Sequence, residues 1–283
     1  MSSPVKVALV IPNNGSTAVE AYENRLLNFF NHGILEEQSR WVRRLWELFQ
    51  AEVLSVNQMN LILAKMQDEK PFKMHVKDTE FIFYFLVVGR LFTPLARERA
   101  CEYALQENCD YLFMVDDDMM SPHDLFEKLY RHKKDIVGPL MFTRNPPHRA
   151  VIYSCVEGYD HVARTNYFIN NYVLNYPKDK LFQCDAIGFG SVLIDMKVVR
   201  AMKKPYFAFT SSTGEDIGFC YRAKKLGFKT WVDPTVDLGH LGAPVNVTKE
   251  YAYSYWDKNA QAVSEKFGTY NKYEEKKELV NAL

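Results

Sequence analysis

The sequence predicts an α/β fold, a doubly wound, mixed but mostly parallel sheet flanked by helices. Three observations predict it. Short, nearly continuous apolar runs such as Val5 to Pro12 and Tyr111 to Val115 suit strands covered on both faces. Helical patterns alternate with these runs along most of the chain. Clusters of Pro, Gly, Asn, Ser and Asp separate one element from the next. At 283 residues the chain can bury a full core, as one large domain or a domain with a subdomain.

Val5 to Pro12 is the first strand, and Asn13-Asn14-Gly15-Ser16 forms the loop at its tip. A helical pattern starts near Val19, and residues 34 to 69 read as mostly helical. There Trp41, Leu45, Leu48 and Phe49 share a face, for which core packing is the default reading and a homo-oligomer contact the other. Phe81 to Val88 is the second strand, and Leu95 to Leu105 an amphipathic helix leading into the strand at Tyr111 to Val115. A helix around Asp124 to His132 and a strand at Ile136 to Met141 follow, broken by Pro146-Pro147. Residues 150 to 183 are Tyr- and Asn-rich and irregular, with room for β-hairpins. Ala186 to Asp195 is glycine-rich and then a strand, and Met196 to Met202 a helix. Thr213-Gly214-Glu215-Asp216 opens a helix that ends near Leu226-Gly227, with Ser212, Thr213 and Gly214 as capping candidates. A strand at Lys229 to Val232 stops at Asp233-Pro234, and beyond His240 the pattern is mostly helical.

Lys+Arg and Asp+Glu both total 35, so nothing indicates a general affinity for polyanions, although local basic patches remain open. The five cysteines are scattered, odd in number and without Cys-x-x-Cys spacing, which argues against a zinc site or a disulfide framework and for a reducing, cytoplasmic setting. The apolar stretch from Val7 to Pro12 is too short for a signal-peptide core. The greasiest run, Phe81 to Gly89, is too short for a transmembrane helix.

The tripeptide Asp116-Asp117-Asp118 is the most informative feature of the chain. It follows a buried strand and precedes the turn signal Ser121-Pro122. Alternation along a strand lets Asp116 and Asp118 project to one side and Asp117 to the other. Two carboxylates so placed repel each other and call for a cation, and hard oxygen ligands suit Mg²⁺ or Mn²⁺. Strand ends are also where open α/β sheets bind ligands. The competing reading is a solvated acidic turn that caps the next helix.

Three further features recur in a telling order with that strand end. They are Arg97-Glu98-Arg99 on the preceding helix, Gly188 and Gly190 followed by Gly214-Glu215-Asp216, and His240 after Asp233-Pro234. With the Pro-ended first strand, this order over residues 5 to 245 resembles the GT-A glycosyltransferases, notably inverting enzymes of the broad family 2 type. The resemblance implies a Rossmann-like GT-A catalytic domain over residues 1 to 245. Its nucleotide-sugar half would span about 1 to 140 and its acceptor half about 141 to 245, with a C-terminal helical extension at 246 to 283. Glu98 departs from the Asn commonly found beside the Arg, and the stretch between residues 15 and 90 exceeds the usual first βα units.

The resemblance also implies roles. Asp116 would face the nucleotide ribose or the metal, and Asp118 would ligate an Mn²⁺ or Mg²⁺ bridging the donor diphosphate, with His240 as a further ligand from a Gly-flanked loop. Pro12, Asn13, Asn14, Arg97, Asp116, Asp117, Gly188 and Gly190 would line the donor site. For Arg97 a surface pair near Glu102 is the other reading, and for the glycines a plain turn or bulge. Of the pair Glu215 and Asp216, the second would be the general base. The expected activity is sugar transfer from a nucleoside-diphosphate sugar to an acceptor hydroxyl. Nucleotidyltransfer is a second class, disfavoured because the loop from Asn13 to Glu20 carries no cation. Non-catalytic carbohydrate binding is a third. The acceptor stays open among saccharide, lipid-linked and nucleic-acid classes. His148, Arg149, Tyr153, Tyr159, Tyr206 and Phe207 lie in its expected region, and the clusters Arg131-His132-Lys133-Lys134 and Lys203-Lys204 fit either an anionic acceptor or a solvated face.

Overall fold

A computed structural model describes residues 3–13, 72–76, 79–89, 91–116, 118–122, 124–162, 164–208, 213–241 and 246–259. The helical stretch expected at 34 to 69, with its Trp41 face, lies outside the described residues. In chain order the first elements are β1 (Val5–Asn13), β2 (Phe72–Val76), β3 (Thr79–Gly89), α1 (Thr93–Gln106), β4 (Tyr111–Val115), β5 (Met119–Met120), α2 (Leu125–Tyr130) and β6 (Ile136–Pro139). Then come β7 (Ile152–Asp160), β8 (Thr165–Tyr172), β9 (Phe182–Cys184), β10 (Ala186–Ile187), β11 (Ser191–Asp195) and α3 (Met196–Ala201). The described chain ends with α4 (Glu215–Lys225), β12 (Thr230–Asp233), β13 (Gly239–Leu241), β14 (Asn246–Val247) and α5 (Lys249–Lys258).

Eight strands form the central sheet in the order β2-β3-β1-β4-β11-β6-β12-β9. β3, β1, β4, β6 and β12 run one way, and β2, β11 and β9 run against them. The sheet is therefore mixed and mostly parallel. β11 wedges between β4 and β6, so a strand from late in the chain completes the middle of the sheet.

Both faces are covered, which is why the strands read as unbroken apolar runs. Ala8, Val10, Leu112, Met114, Val192 and Ile194 point into the core shared with α1, α3 and α4. The alternate residues Val7, Leu9, Phe113, Val115 and Leu193 meet α2. On that second face Phe126 of α2 packs edge-on against Phe81 and Phe83, with ring centroids 5.3 and 4.9 Å apart. Such pairs contribute about 0.5–1.5 kcal/mol each beyond their burial. On the first face α1 buries Ala96, Ala100, Cys101 and Ala104, small side chains that let its backbone sit close to the sheet. The termination expected for the helix after Glu215 holds: Gly227 adopts φ +90°, and the N–H of Phe228 reaches back to Ala223 O at 3.0 Å.

One region fills in the hairpin that the sequence reading left room for, and another departs from it. The irregular stretch from 150 contains a regular hairpin, β7 with β8, in register from Tyr153↔Tyr172 to Asp160↔Thr165. The region after His240 is not helical at once, because β13 pairs with β14 and with β5 before α5 begins. Alternation is weak in strands as short as β13 and β14, with three and two residues, so they left no strand pattern to read. α5 then packs Ala252 and Trp256 into the main core and does not stand apart from it. Among the described residues no helix is long and apolar enough to cross a membrane.

Asp233, at the end of β12, meets Arg131 and His132 of the basic cluster that fitted either an anionic acceptor or a solvated face. Its side chain is buried, accepts from Thr235 N and Oγ1 at 2.9 and 2.6 Å, and meets His132 Nε2 at 2.6 Å, with Arg131 at 3.8 Å. Lys133 and Lys134 lie over the Tyr130 and Trp231 rings, and Lys204 pairs with Glu102. These cations have partners within the chain, although Arg131, Lys133 and Lys204 remain exposed. Burial raises the Asp233 pKa, but the bonds from Thr235 and His132 outweigh it and hold the carboxyl below its ordinary 3.8. A depressed folded pKa contributes stability that is present above the unfolded value and lost as pH falls through the folded one. We expect urea stability to drop as pH falls below about 4. The Asp233→Asn variant should be less stable at pH 7 and lose part of that acid dependence, a result that denaturation midpoints at pH 7 and pH 3 would reveal.

Candidate active site

The C-terminal ends of β1 and β4 and the start of α4 bring most of the expected residues to one edge of the sheet. β1 ends at Pro12 and Asn13, beyond its last pairing with β4 at Val10↔Met114. Pro12 is buried, while Asn14 and Asp117 lie outside the described residues, as does the side chain of Asn13.

Arg97 is the centre of the arrangement. It is 3% exposed, and its Nη1 donates to Glu215 Oε1 at 2.6 Å. Its Nη2 donates to Asp116 at 3.0 Å (Oδ2) and 3.3 Å (Oδ1) and to Phe189 O at 3.2 Å. The reading of Arg97 as a surface pair near Glu102 is therefore corrected. Its fork is filled by two carboxylates of its own chain, and the exposed pair with Glu102 belongs to Arg99. The reason is geometric: Arg97 shares the inward stripe of Ala96, Ala100, Cys101 and Ala104. Burial works against the guanidinium charge, but Asp116, Asp216 and Glu215 outweigh it and raise the Arg97 pKa. Burial pushes Glu215 up, and Arg97 only partly pulls it back.

Among the described residues Asp116 and Asp118 meet different side chains. β4 ends at Val115, and Met119 N bonds back to Asp116 O at 3.3 Å, so the acids occupy a turn and strand alternation no longer governs them. Asp116 goes to Arg97. Asp118 Oδ2 lies 3.3 Å from His240 Nε2 and 3.2 Å from Arg144 Nη1. His240 stands in β13, opposite Met119 and Val247, and not in a loop. The flanking Gly239 admits the Asn246 side chain where a Cβ would sit, and Gly242 lies outside the described residues.

The His240 ring is oriented by its other nitrogen. Nδ1 lies 2.8 Å from Phe142 O, which can only accept, so Nδ1 carries the proton. In the neutral ring this turns the Nε2 lone pair toward the Asp118 carboxylate. Two electron-rich atoms 3.3 Å apart fit neighbouring ligands of one small cation, whose ~2.1 Å bonds at right angles leave them about 3 Å apart. Among the described residues no group of three or more His, Cys, Asp or Glu side chains is placed to hold a metal. The expected set of Asp116, Asp118 and His240 is thus not gathered as three ligands, and Asp118 with His240 would leave the other positions of a hard cation to water and substrate oxygens.

Glu215 and Asp216 occupy the first turn of α4, where the helix dipole favours negative charge. Gly214 is the N-cap and makes no side-chain cap, and Thr213 Oγ1 is buried without a hydrogen-bond partner among the described residues, while Ser212 lies outside them. Asp216 is half-buried beside Gly188: a Cβ on that glycine would come within 3.7 Å of Asp216 Oδ2. The glycines serve packing here. A Cβ on Gly188 would press on Val151 at 3.1 Å, and one on Gly190 would strike Met119 Cε at 2.6 Å.

Several residues of the expected acceptor region belong to the core. His148, Tyr206 and Phe207 are buried, and Phe207 stacks on Phe219 with centroids 4.7 Å apart. Glu98, the unusual neighbour of Arg97, accepts from Phe207 N at 2.9 Å and ties that loop to α1. Tyr153 is buried against Tyr172, over which Arg149 lies at 4.2 Å, and Tyr159 is exposed.

No protein-family model and no curated protein matches the chain. Solved structures that match include A197 from STIV, at 14% identity and TM-score 0.48, covering 87% of this chain and 92% of that one. Another is GalNAc-T7 with UDP, GalNAc and Mn²⁺, at 12% identity and TM-score 0.44, with 86% of this chain and only 45% of that protein covered. A third is 4-diphosphocytidyl-2C-methyl-D-erythritol synthase from Anaerococcus prevotii, at 12% identity and TM-score 0.40, covering 91% of this chain and 97% of that one. Likenesses of this strength do not fix a shared activity.

The Arg97 network predicts a specific energetic pattern. Arg97→Met leaves Glu215 buried without its cation and should cost about 3–5 kcal/mol. Adding Glu215→Leu should recover much of that loss, and urea denaturation of the two single variants and the double variant measures the coupling.

Proposed function

We propose that this chain is a divalent-cation-dependent glycosyltransferase that moves a sugar from a nucleoside-diphosphate donor to an acceptor hydroxyl. The observation that carries this reading is the Asp118–His240 pair at the sheet's carboxyl edge, with the His240 tautomer set by Phe142 O. That edge is where open α/β sheets take ligands. The resemblance drawn from the order of sequence motifs supports the same reading.

In this reading Asp118 and His240 hold the cation, and the Pro12 strand end borders the nucleotide. A bound Mn²⁺ or Mg²⁺ supplies neutralisation of the charge that gathers on the departing diphosphate. Asp216 takes the proton of the acceptor hydroxyl, whose oxygen attacks the anomeric carbon as the bond to the diphosphate breaks, so the anomeric configuration inverts. Glu215 is a poor choice for that role, because its carboxylate is buried against Arg97 at 2.6 Å. Asp216, one residue on, is half-buried. Arg97 acts as a positioning residue that fixes Asp116 and the start of α4 relative to each other. Nucleotidyltransfer is the rival outcome of the same binding tests.

Two sets of measurements test this. Titration calorimetry with Mn²⁺ and uridine or guanosine diphosphate should show binding. A preference for a triphosphate, with pyrophosphate release, would favour nucleotidyltransfer. Asp118→Asn should cut transfer by about 10²-fold or more, as the loss of several kcal/mol of charge stabilisation implies. His240→Ala should be milder, since water can take a vacated metal position.

The base assignment has its own test. Asp216→Asn should lower turnover by ~10²–10⁴-fold while leaving donor affinity nearly unchanged. Wild-type turnover in Asp216→Asn beside an inactive Glu215→Gln would reverse the assignment. Retention of the donor's anomeric configuration would exclude single displacement.

A further inference from the structure

No motif in the sequence marks Arg144, yet its guanidinium lies 3.2 Å from Asp118 Oδ2, the oxygen that also faces His240. Its side chain is 47% exposed, and a pair exposed to that degree contributes little to folding. The loop that carries it is nevertheless heavily braced. Thr143 N bonds Arg149 O at 2.9 Å, Thr143 Oγ1 receives Arg149 N at 3.1 Å, and His148 N bonds Asn145 O at 3.1 Å. The buried His148 ring meets Thr143 O through Nδ1 at 3.1 Å and packs edge-on against Tyr251 and Tyr255 of α5. Trp256 of the same helix donates its Nε1 proton to Pro147 O. The residue just before the loop, Phe142, supplies the carbonyl that orients His240. One rigid segment thus sets both the imidazole and the guanidinium around Asp118.

Rigid support for a half-exposed cation is the arrangement expected of a ligand-binding group, whose affinity depends on being held in place beforehand. The guanidinium also sits against the oxygen a divalent cation would use. Its planar fork matches phosphate oxygens as well as it matches a carboxylate. We propose that Arg144 is a diphosphate-binding residue that pairs with Asp118 before the divalent cation arrives and exchanges that carboxylate for phosphate oxygens afterwards. This inference rests on the nucleotide-sugar reading above. It makes two demands that pull in opposite directions: Arg144 competes with the cation for Asp118, yet assists the anion. It also gives α5 a role in the site, through the loop it clamps.

Titration calorimetry on the full chain separates the two demands, with thermal melts of each variant confirming the fold. Arg144→Gln should bind Mn²⁺ alone about two- to fivefold more tightly than wild type, the range of an exposed ion pair. In saturating Mn²⁺ it should bind uridine or guanosine diphosphate about tenfold or more weakly, as expected for a lost charge-assisted hydrogen bond. Arg144→Lys keeps the charge without the fork, so it should match wild type for Mn²⁺ and fall between the two for the diphosphate. Unchanged diphosphate affinity in Arg144→Gln, or Mn²⁺ binding no tighter than wild type, overturns the role of Arg144 while leaving the site reading intact. If wild type itself binds neither Mn²⁺ nor either diphosphate, the site reading has failed and the Arg144 proposal falls with it.

Discussion

A single cation in a dry place organises this molecule. Arg97 lies between Asp116 at the end of β4 and Glu215 at the start of α4, residues 19 and 118 positions away in sequence. Taking a guanidinium out of water costs several kcal/mol unless its donors are filled, so the three side chains must come together for any of them to be tolerated. The consequence reaches the chemistry. Glu215 and Asp116 are engaged by Arg97, while the neighbouring acid Asp118 meets Arg144 and His240 and Asp216 stands half-buried in the first turn of α4.

Around this centre the support is layered. β11 enters between β4 and β6 and gives Gly190 O to Asp116 N at 2.7 Å, which anchors the first acid of the turn. The side chains of Met119, from β5, and Met141 fill the space beside Gly190, so a Cβ there would require them to shift. β5 in turn pairs with β13 and so sets His240 opposite Met119. Glu98 holds the backbone of Phe207, and Phe207 stacks against Phe219 in α4. Each contact links a segment near the site to the packed core, so local shifts in the core would be felt at the carboxylates.

The aromatic and basic residues show how much of a promising surface can be internal. A count of 19 Phe and 17 Tyr invites a stacking platform, yet Phe81, Phe83, Phe113 and Phe126 form one packed cluster beneath the sheet. Arg131 and His132 converge on one buried carboxylate, and neighbouring lysines lie over rings. Charge runs and aromatic density describe composition, and composition does not say which side of a surface a residue faces.

The sequence by itself determined the α/β class, strands at Val5 to Pro12, Phe81 to Val88 and Tyr111 to Val115 and a helix at Leu95 to Leu105, each lying within the observed element, and the helix stop at Gly227, because periodicity and turn chemistry are local properties. It also pointed to the acidic strand end and the Glu215-Asp216 helix start. Only the tertiary structure decided that Arg97 points inward to two carboxylates, that Asp116 and Asp118 meet different side chains, and that His240 sits in a strand. It alone brought Arg144 to Asp118. These are contacts between segments far apart in sequence, fixed by where β11 inserts, where β13 pairs and how α5 clamps its loop. No spacing rule within one segment encodes them, because the partner of each side chain is supplied by the packing of another.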